Sequence, residues 1–284
     1  IQEQAKFPWS GNNYFLGEYI SASNLPWYYI PIWIGVTTPL PFLVLVAIGL
    51  IVSFKKNFMV MNNQIIFDRF MFFGIFTPIL AVIILDSTLY DGWRHMFFIY
   101  PFLAYFMANG FAEVVEWFNE RLKFGIKITT ILIGILVCMG PLYSIITMHP
   151  HQQVYFNVLA GKDPMLDFEG GDYWGTSFRK GLEWITENDD RDSIFVVVNC
   201  TPGSVNRHMI KEVERKRLRF KIQSNLNKLS VKSGDYYMTN FRSQQAFGYP
   251  LDEEKFSVLD NEVFSINTRG MKIMAIFNLN KVTN

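Results

Sequence analysis

The densest group of chemically capable side chains is the segment Leu85-Asp86-Ser87-Thr88-Leu89-Tyr90-Asp91-Gly92-Trp93-Arg94-His95. Arg94 offers a planar guanidinium fork suited to a phosphate, and His95 can add a second donor. Tyr90 and Trp93 have the rings to stack on a sugar or to anchor at a membrane interface. Asp86 or Asp91 can act as a base or pair with Arg94. The same residue types also make an ordinary interfacial loop with a local Asp–Arg pair.

Other groups are thinner. Phe7-Pro8-Trp9-Ser10-Gly11-Asn12-Asn13-Tyr14-Phe15-Leu16-Gly17-Glu18-Tyr19 mixes rings and amides, a mix that suits a carbohydrate and equally suits a membrane-surface loop. Glu18 is its acid nearest the predicted interface, and one carboxylate does not make a catalytic pair. His149-Pro150-His151 has two imidazoles but no third ligand of matching spacing, so no metal is expected. The basic run Lys211–Lys221 reads as a solvated helix face that can also rest on anionic headgroups. Asn199-Cys200-Thr201 fits a glycosylation sequon, with Pro202 directly after it. The sequence has no Walker loop, dinucleotide fingerprint, G-x-S-x-G or zinc quartet. A soluble-nucleotide enzyme is therefore not supported, whereas a membrane enzyme with a lipid-borne substrate needs none of these motifs.

The elements that must position these residues follow from charge and hydropathy. No charged residue stands between Glu18 and Lys55. Within that gap Ile30–Phe54 is a strongly apolar run, and a span needs about 20 such residues. Pro31, Pro39 and Pro41 should bend or delay its helix. Phe70–Leu85 (extended by Ile65–Phe67), Met96–Ala112 and Ile128–Met148 are the next three runs. The pattern predicts four transmembrane helices, with Trp27, Tyr28, Tyr29 and Tyr143 at interfaces. Lys55, Lys56, Arg121, Lys123 and Lys127 place the first and third connecting loops in the cytoplasm by the positive-inside rule. Residues 1–26, the Asp86–His95 loop and everything after His149 then face outward.

After Pro150 charge is frequent and long apolar runs stop. Trp174–Asn188 reads as an amphipathic helix capped by Thr176 or Ser177, with Leu182, Trp184 and Ile185 inward. Ser193–Asn199 reads as a buried strand, Val205–Phe220 as a second helix, and Asp235–Asn240, Glu262–Thr268 and Met271–Asn278 as strands. Arg269-Gly270 marks a hairpin turn. The expected architecture is an α-helical polytopic membrane protein followed by a small extracytoplasmic α/β domain. Its divisions are an outer loop over 1–26, a four-helix membrane region over 27–149 and the α/β domain over 150–284. Cys138 and Cys200 are not expected to meet. Composition agrees: of 284 residues 50% are hydrophobic, 17% aromatic and only 18% charged, with a mean hydropathy of +0.15. That excludes a disordered chain and a disulfide scaffold. A net charge of +1 gives no global field to recruit nucleic acid.

Several of these motifs carry a resemblance. Leu25-Pro26-Trp27-Tyr28-Tyr29 with Thr37-Thr38-Pro39-Leu40-Pro41 resembles the second half of bacterial polytopic glycosyltransferases of the C superfamily. The resemblance is to the family-39 type, related to protein O-mannosyltransferases and the lipid A aminoarabinose transferase. Tyr90-Asp91-Gly92-Trp93-Arg94-His95 with Phe98-Ile99-Tyr100-Pro101 is similar to that group's YDG-x-RH … YP signature. His149–Asn157 and Asp172-Tyr173-Trp174-Gly175 resemble its junction and tail. The resemblance implies a mannosyltransferase-like membrane transferase of the GT-C fold in the bacterial cytoplasmic membrane. Its donor would be a polyprenyl-phosphate-linked sugar and its acceptor a protein, lipid or glycan, with no metal or other cofactor. Arg94 and His95 would be donors to the carrier phosphate, with Tyr90, Asp91, Glu18 and Tyr19 lining the site. The family's acidic catalytic loop lies upstream of the region matched, so the general base is expected before Ile1, in a missing N-terminal half or a partner subunit.

The alternative is a non-catalytic accessory subunit whose α/β domain binds a partner or glycan. A transporter is disfavoured, because these helices keep their charges at the ends.

Overall fold

The computed structural model describes residues 11–55, 63–168, 171–223, 234–241 and 261–280. The chain divides into two compact units. The first holds residues 19–146, with 156–160 and the chain up to Asn13; the second holds 161 onward, with 147–155 and 14–18.

The helical unit opens on strands β1 (Asn12–Phe15) and β2 (Glu18–Ser21), whose connecting tip belongs to the second unit. The first apolar run is not one helix. It forms α1 (Tyr29–Thr37) and α2 (Leu40–Lys55), neither long enough to be a full span by itself. The break follows from Pro39, which drives the preceding Thr38 to an extended conformation (φ −98°, ψ 135°). The α1 carbonyls left open by the break are met by Asn157. Its Nδ2 donates to the Gly35 and Thr38 carbonyls at 2.6 Å each, and its backbone N–H to the Val36 carbonyl at 2.8 Å.

Among the described residues, three helices are long and apolar enough to cross a membrane: α3 (Asn63–Ile84), the Arg94–Leu122 stretch, and α5 (Ile126–Met148). Of the four apolar runs expected to span, three are helices of spanning length and the first is the broken pair α1–α2. The second run, short when counted between its charges, extends over Asp68 and Arg69 to reach 22 residues. Asp68 is buried there without disrupting the helix. The Tyr105 hydroxyl and the Gln64 Nε2 both donate to its Oδ1. The middle stretch begins as a 3₁₀ turn (Arg94–Ile99) and continues as α4 (Tyr100–Leu122) with Pro101 in its first turn. Helices α2 and α4 meet backbone to backbone at Gly49 and Gly110. A Cβ on Gly49 would strike the Phe106 carbonyl oxygen, and one on Gly110 the Leu45 carbonyl oxygen.

The second unit is built on a five-stranded sheet of order β4-β3-β5-β7-β6, with β3 Ile194–Val198, β4 Leu218–Ile222, β5 Tyr236–Thr239, β6 Glu262–Thr268 and β7 Met271–Asn278. β3 pairs in parallel with β4 and β5, and β7 runs antiparallel to β5 and β6. Helix α6 (Thr176–Asn188) buries Phe178, Leu182 and Ile185. Gly181 faces Met238 and Met274 of the sheet, and Trp184 stacks on Phe264 at 5.4 Å. The β6–β7 turn is Arg269-Gly270, both left-handed (φ 46° and 84°), as a tight hairpin requires.

Two expectations are corrected. Val205–Phe220 is not one helix: it is α7 (Thr201–Val205), a 3₁₀ turn (Asn206–Met209), α8 (Glu212–Arg217) and then the start of β4. Leu218-Arg219-Phe220-Lys221-Ile222 alternates as a strand does and pairs with every residue of β3 from Ile194 to Val198. The α6 cap is not Thr176 or Ser177 but Gly175, in a left-handed conformation (φ 66°).

A cluster at the start of β3 closes the sheet on α6. The Arg191 guanidinium donates to both Asp189 oxygens and to Asp235, and the Tyr236 hydroxyl donates to Asp189 Oδ2 at 3.1 Å. Arg217 donates to the carbonyls of Thr186, Asp189 and Arg191. Arg191 holds the Asp189 carboxyl down to about 2 from the ordinary 3.8, and burial beside that anion pushes the Tyr236 hydroxyl up to about 12.

Two outcomes follow. Gly49→Val should destabilise the helical unit by about 1–3 kcal/mol, read by thermal melting in detergent, because the intruding Cβ meets backbone rather than a movable side chain. Asp189 titrates lower folded than unfolded, so its contribution is complete above about pH 4 and is lost as pH falls toward about 2. Asp189→Asn should flatten that acid limb in Trp184 fluorescence.

Candidate functional site

The segment after α3 carries no regular structure until Arg94, so its shape rests on side chains and on two left-handed residues in a row. Asp91 (φ 58°) and Gly92 (φ 73°) turn the chain back on itself. Asp tolerates this conformation by local hydrogen bonding, and Gly has no Cβ to oppose it. A Cβ at Gly92 would touch the Trp33 ring at 3.5 Å. Trp93 follows, 2% exposed. Its Nε1 donates to Thr37 Oγ1 at 3.0 Å, and that hydroxyl donates to the Trp33 carbonyl at 2.6 Å. The last turn of α1 thereby fixes the residue just before Arg94.

The opposite side of the loop is held by β1. Asn13, 1% exposed, donates from Nδ2 to the Leu89 carbonyl at 2.8 Å and accepts from the Asp91 backbone N–H at 3.2 Å. The Leu89 backbone N–H donates to the Ala22 carbonyl at 3.3 Å. One amide side chain thus satisfies two backbone groups that no helix or sheet would satisfy. Asn13 lies inside the aromatic and amide-rich stretch singled out in the sequence, but nothing in its spacing marked this role.

The structure brings together four of the six expected site residues. Arg94 Nη2 donates to Asp91 Oδ2 at 3.1 Å, with side-chain exposures of 27% and 13%. The Arg94 guanidinium carbon stands 4.9 Å from the centre of the Tyr90 ring, and the Tyr90 and His95 rings meet edge to face at 4.7 Å. The pair sits where a candidate span begins, with the guanidinium plane supported by a carboxylate and an aromatic face. Such an arrangement holds a cation partly shielded from water, where an anion gains more than at an open surface. Glu18 and Tyr19 are not placed in this cluster. Both are exposed on β2, and Glu18 belongs to the second unit.

The second unit has a polar cluster of another kind. Asp172 is fully buried; its Oδ1 accepts from Gln153 Nε2 and Thr176 Oγ1, and its Oδ2 accepts from the Ser177 backbone N–H at 2.5 Å. This carboxylate occupies the N-terminus of α6 itself, the place where an external anion would bind. Asn240 Nδ2 donates to the Asp172 carbonyl, and Asn199 Nδ2 donates to Asn240 Oδ1 at 2.9 Å. Asn199 is therefore an internal tie between the ends of β3 and β5, 1% exposed, and not a glycan acceptor. Burial pushes the Cys200 thiol up to about 11, which disfavours the thiolate a nucleophile needs. His149 engages Gln152, and His151 engages Thr176 while burial lowers its basicity. The two imidazoles thus have separate partners, and among the described residues no group of three His, Cys, Asp or Glu could hold a metal.

Compared with protein-family models, with curated proteins and with solved structures, the chain matches none. The reading of the site therefore stands on its geometry.

Asn13→Ala should free the loop while leaving the helices intact. Two hydrogen bonds of about 1 kcal/mol each are lost, so amide exchange of the 89–91 backbone should accelerate about ten-fold or more. Exchange in α4 should not change.

Proposed function

We propose that this chain is part of a membrane glycosyltransferase that takes a sugar from a polyprenyl-phosphate carrier, with Arg94 as the donor to the carrier phosphate. One observation carries this reading. A guanidinium paired to Asp91 and lying against Tyr90 is set at the beginning of an apolar helix, where a lipid-borne phosphate must reside. Asp91 keeps the fork oriented, and a planar guanidinium suits the paired oxygens of a phosphate. Tyr90 and His95 provide a ring surface beside it that suits a sugar. The loop comes from the side on which positive residues are scarce, so the reaction belongs to the outer face of the membrane. In this reading Arg94 and His95 bind and stabilise negative charge on the leaving carrier phosphate. The acidic group that activates the acceptor comes from outside this chain's described residues.

The test is transfer from a short-chain polyprenyl-phosphate sugar by the purified protein in membranes, together with whatever partner chain copurifies. Arg94→Ala should lower turnover at least about 100-fold, the scale for removing one preorganised donor to a developing anion. Arg94→Lys should restore only part of it, because an ammonium cannot span two oxygens. Unchanged transfer by Arg94→Ala would exclude the phosphate role, and the absence of transfer by the parent protein would exclude the enzyme.

A further inference from the structure

The α/β unit carries a surface that neither its own core nor the transferase reading uses. Between residues 205 and 221 stand seven Lys or Arg against two Glu. Part of this charge is internal. Arg217 is turned onto the carbonyls of Thr186, Asp189 and Arg191 and onto Glu214, and Lys216 pairs with Glu212. Arg207, Lys211, Arg219 and Lys221 remain exposed, and no ion pair holds any of them among the described residues. Protection of an edge strand accounts for Arg219 and Lys221, because β4 is the sheet's outer strand.

It does not account for the apolar residues of the same segment. Val205, Met209 and Val213 are 55%, 60% and 74% exposed, one from each of α7, the 3₁₀ turn and α8. Ile222 at the end of β4 is exposed as well. Ile210 and Leu218 alternate with them and are buried, so the segment is packed and its exposed apolar side chains are not the result of a detached loop. The Arg207 guanidinium carbon stands 5.8 Å from the Phe220 ring, which ties the turn to β4 and makes one surface of the two. A merely solvated face would carry the cations without the apolar side chains. Cations ringing exposed aliphatic and thioether groups are the composition of an interfacial membrane contact.

We propose that the 205–221 surface docks on an anionic phospholipid bilayer. Val205, Met209 and Val213 enter the headgroup layer, and Arg207, Lys211, Arg219 and Lys221 lie against lipid phosphates. Charge complementarity selects this occupant, and the same chain brings its own apolar helices to a bilayer, so the surface is never far from one. The docking is independent of whether the chain transfers a sugar.

The test uses the full chain reconstituted in vesicles. An environment-sensitive fluorophore is placed at Val213→Cys in a Cys138→Ala, Cys200→Ser background, and bromine-labelled lipids serve as quenchers. In vesicles with roughly one-third anionic lipid the label should be blue-shifted and quenched, and both signals should fall at about 0.5 M salt, where screening is nearly complete. Arg207→Glu with Lys211→Glu should abolish both. A label at Glu187→Cys, on α6 outside this surface, should stay in water throughout. A Val213→Cys label that remains in water, or that is quenched equally in uncharged vesicles, would overturn the proposal. So would shielding that appears in lipid-free detergent as protein concentration rises, since a second copy would then cover the surface. Circular dichroism of each variant checks that these exposed substitutions leave the fold in place.

Discussion

The helical unit depends on the close approach of α2 and α4 at Gly49 and Gly110. In a bilayer the lipid tails are as apolar as the side chains, so helices gain little from burying hydrophobic surface against each other. What holds them is tight van der Waals contact, and only small residues allow it. Here two glycines let one backbone rest on the carbonyls of the other. That contact sets α4, and the 3₁₀ turn at the head of α4 carries Arg94. Because α1 is continuous with α2 through the Thr38–Pro39 break, the same contact also sets Trp33 and Thr37. Those are the residues that hold Gly92 and Trp93. The position of one guanidinium is thus traced back to a pair of missing Cβ atoms.

The two polar clusters show how similar residue types serve different ends. Asp172 is surrounded by donors from its own unit and sits at the head of a helix, so its charge is consumed by the fold. Asp91 gives one oxygen to Arg94, and both side chains keep some exposure. A buried carboxylate with every neighbour a donor is a structural anion. The Arg94–Asp91 pair beside the Tyr90 ring keeps part of its surface toward solvent. This difference of environment, more than residue type, makes the Tyr90–His95 loop the candidate site.

Much of this was legible in the sequence because it is periodic. The apolar runs are long enough to be seen without help, and β3, β5, β6 and β7 fall where their patterns place them. Two elements were not legible. Leu218–Ile222 is so rich in Arg and Lys that it continues the helix-like charge pattern before it, and only pairing with β3 decides its form. The break at Thr38 was visible as proline, but the group that meets the carbonyls it leaves open, Asn157, stands some 120 residues away. The candidate site divides in the same manner. Tyr90, Asp91, Arg94 and His95 are neighbours in sequence and so were found together. The groups that fix them, Asn13 and Thr37, come from other elements, and no local pattern announces a long-range hydrogen bond.

Asn157 has a further meaning for where the molecule can be divided. Composition draws a line at Pro150, after which charge returns. The hydrogen bonds draw it later, since residues 156–160 group with the helices and Asn157 supplies the missing end of α1. A fragment cut at Pro150 would leave the Gly35, Val36 and Thr38 carbonyls without Asn157, while the other piece would carry an amide with nothing to cap. A cut after Ala160 would keep Asn157 with the carbonyls it caps, but it would part Gln153 from Asp172 and His151 from Thr176, so the two units are interleaved in sequence and no single cut separates them cleanly.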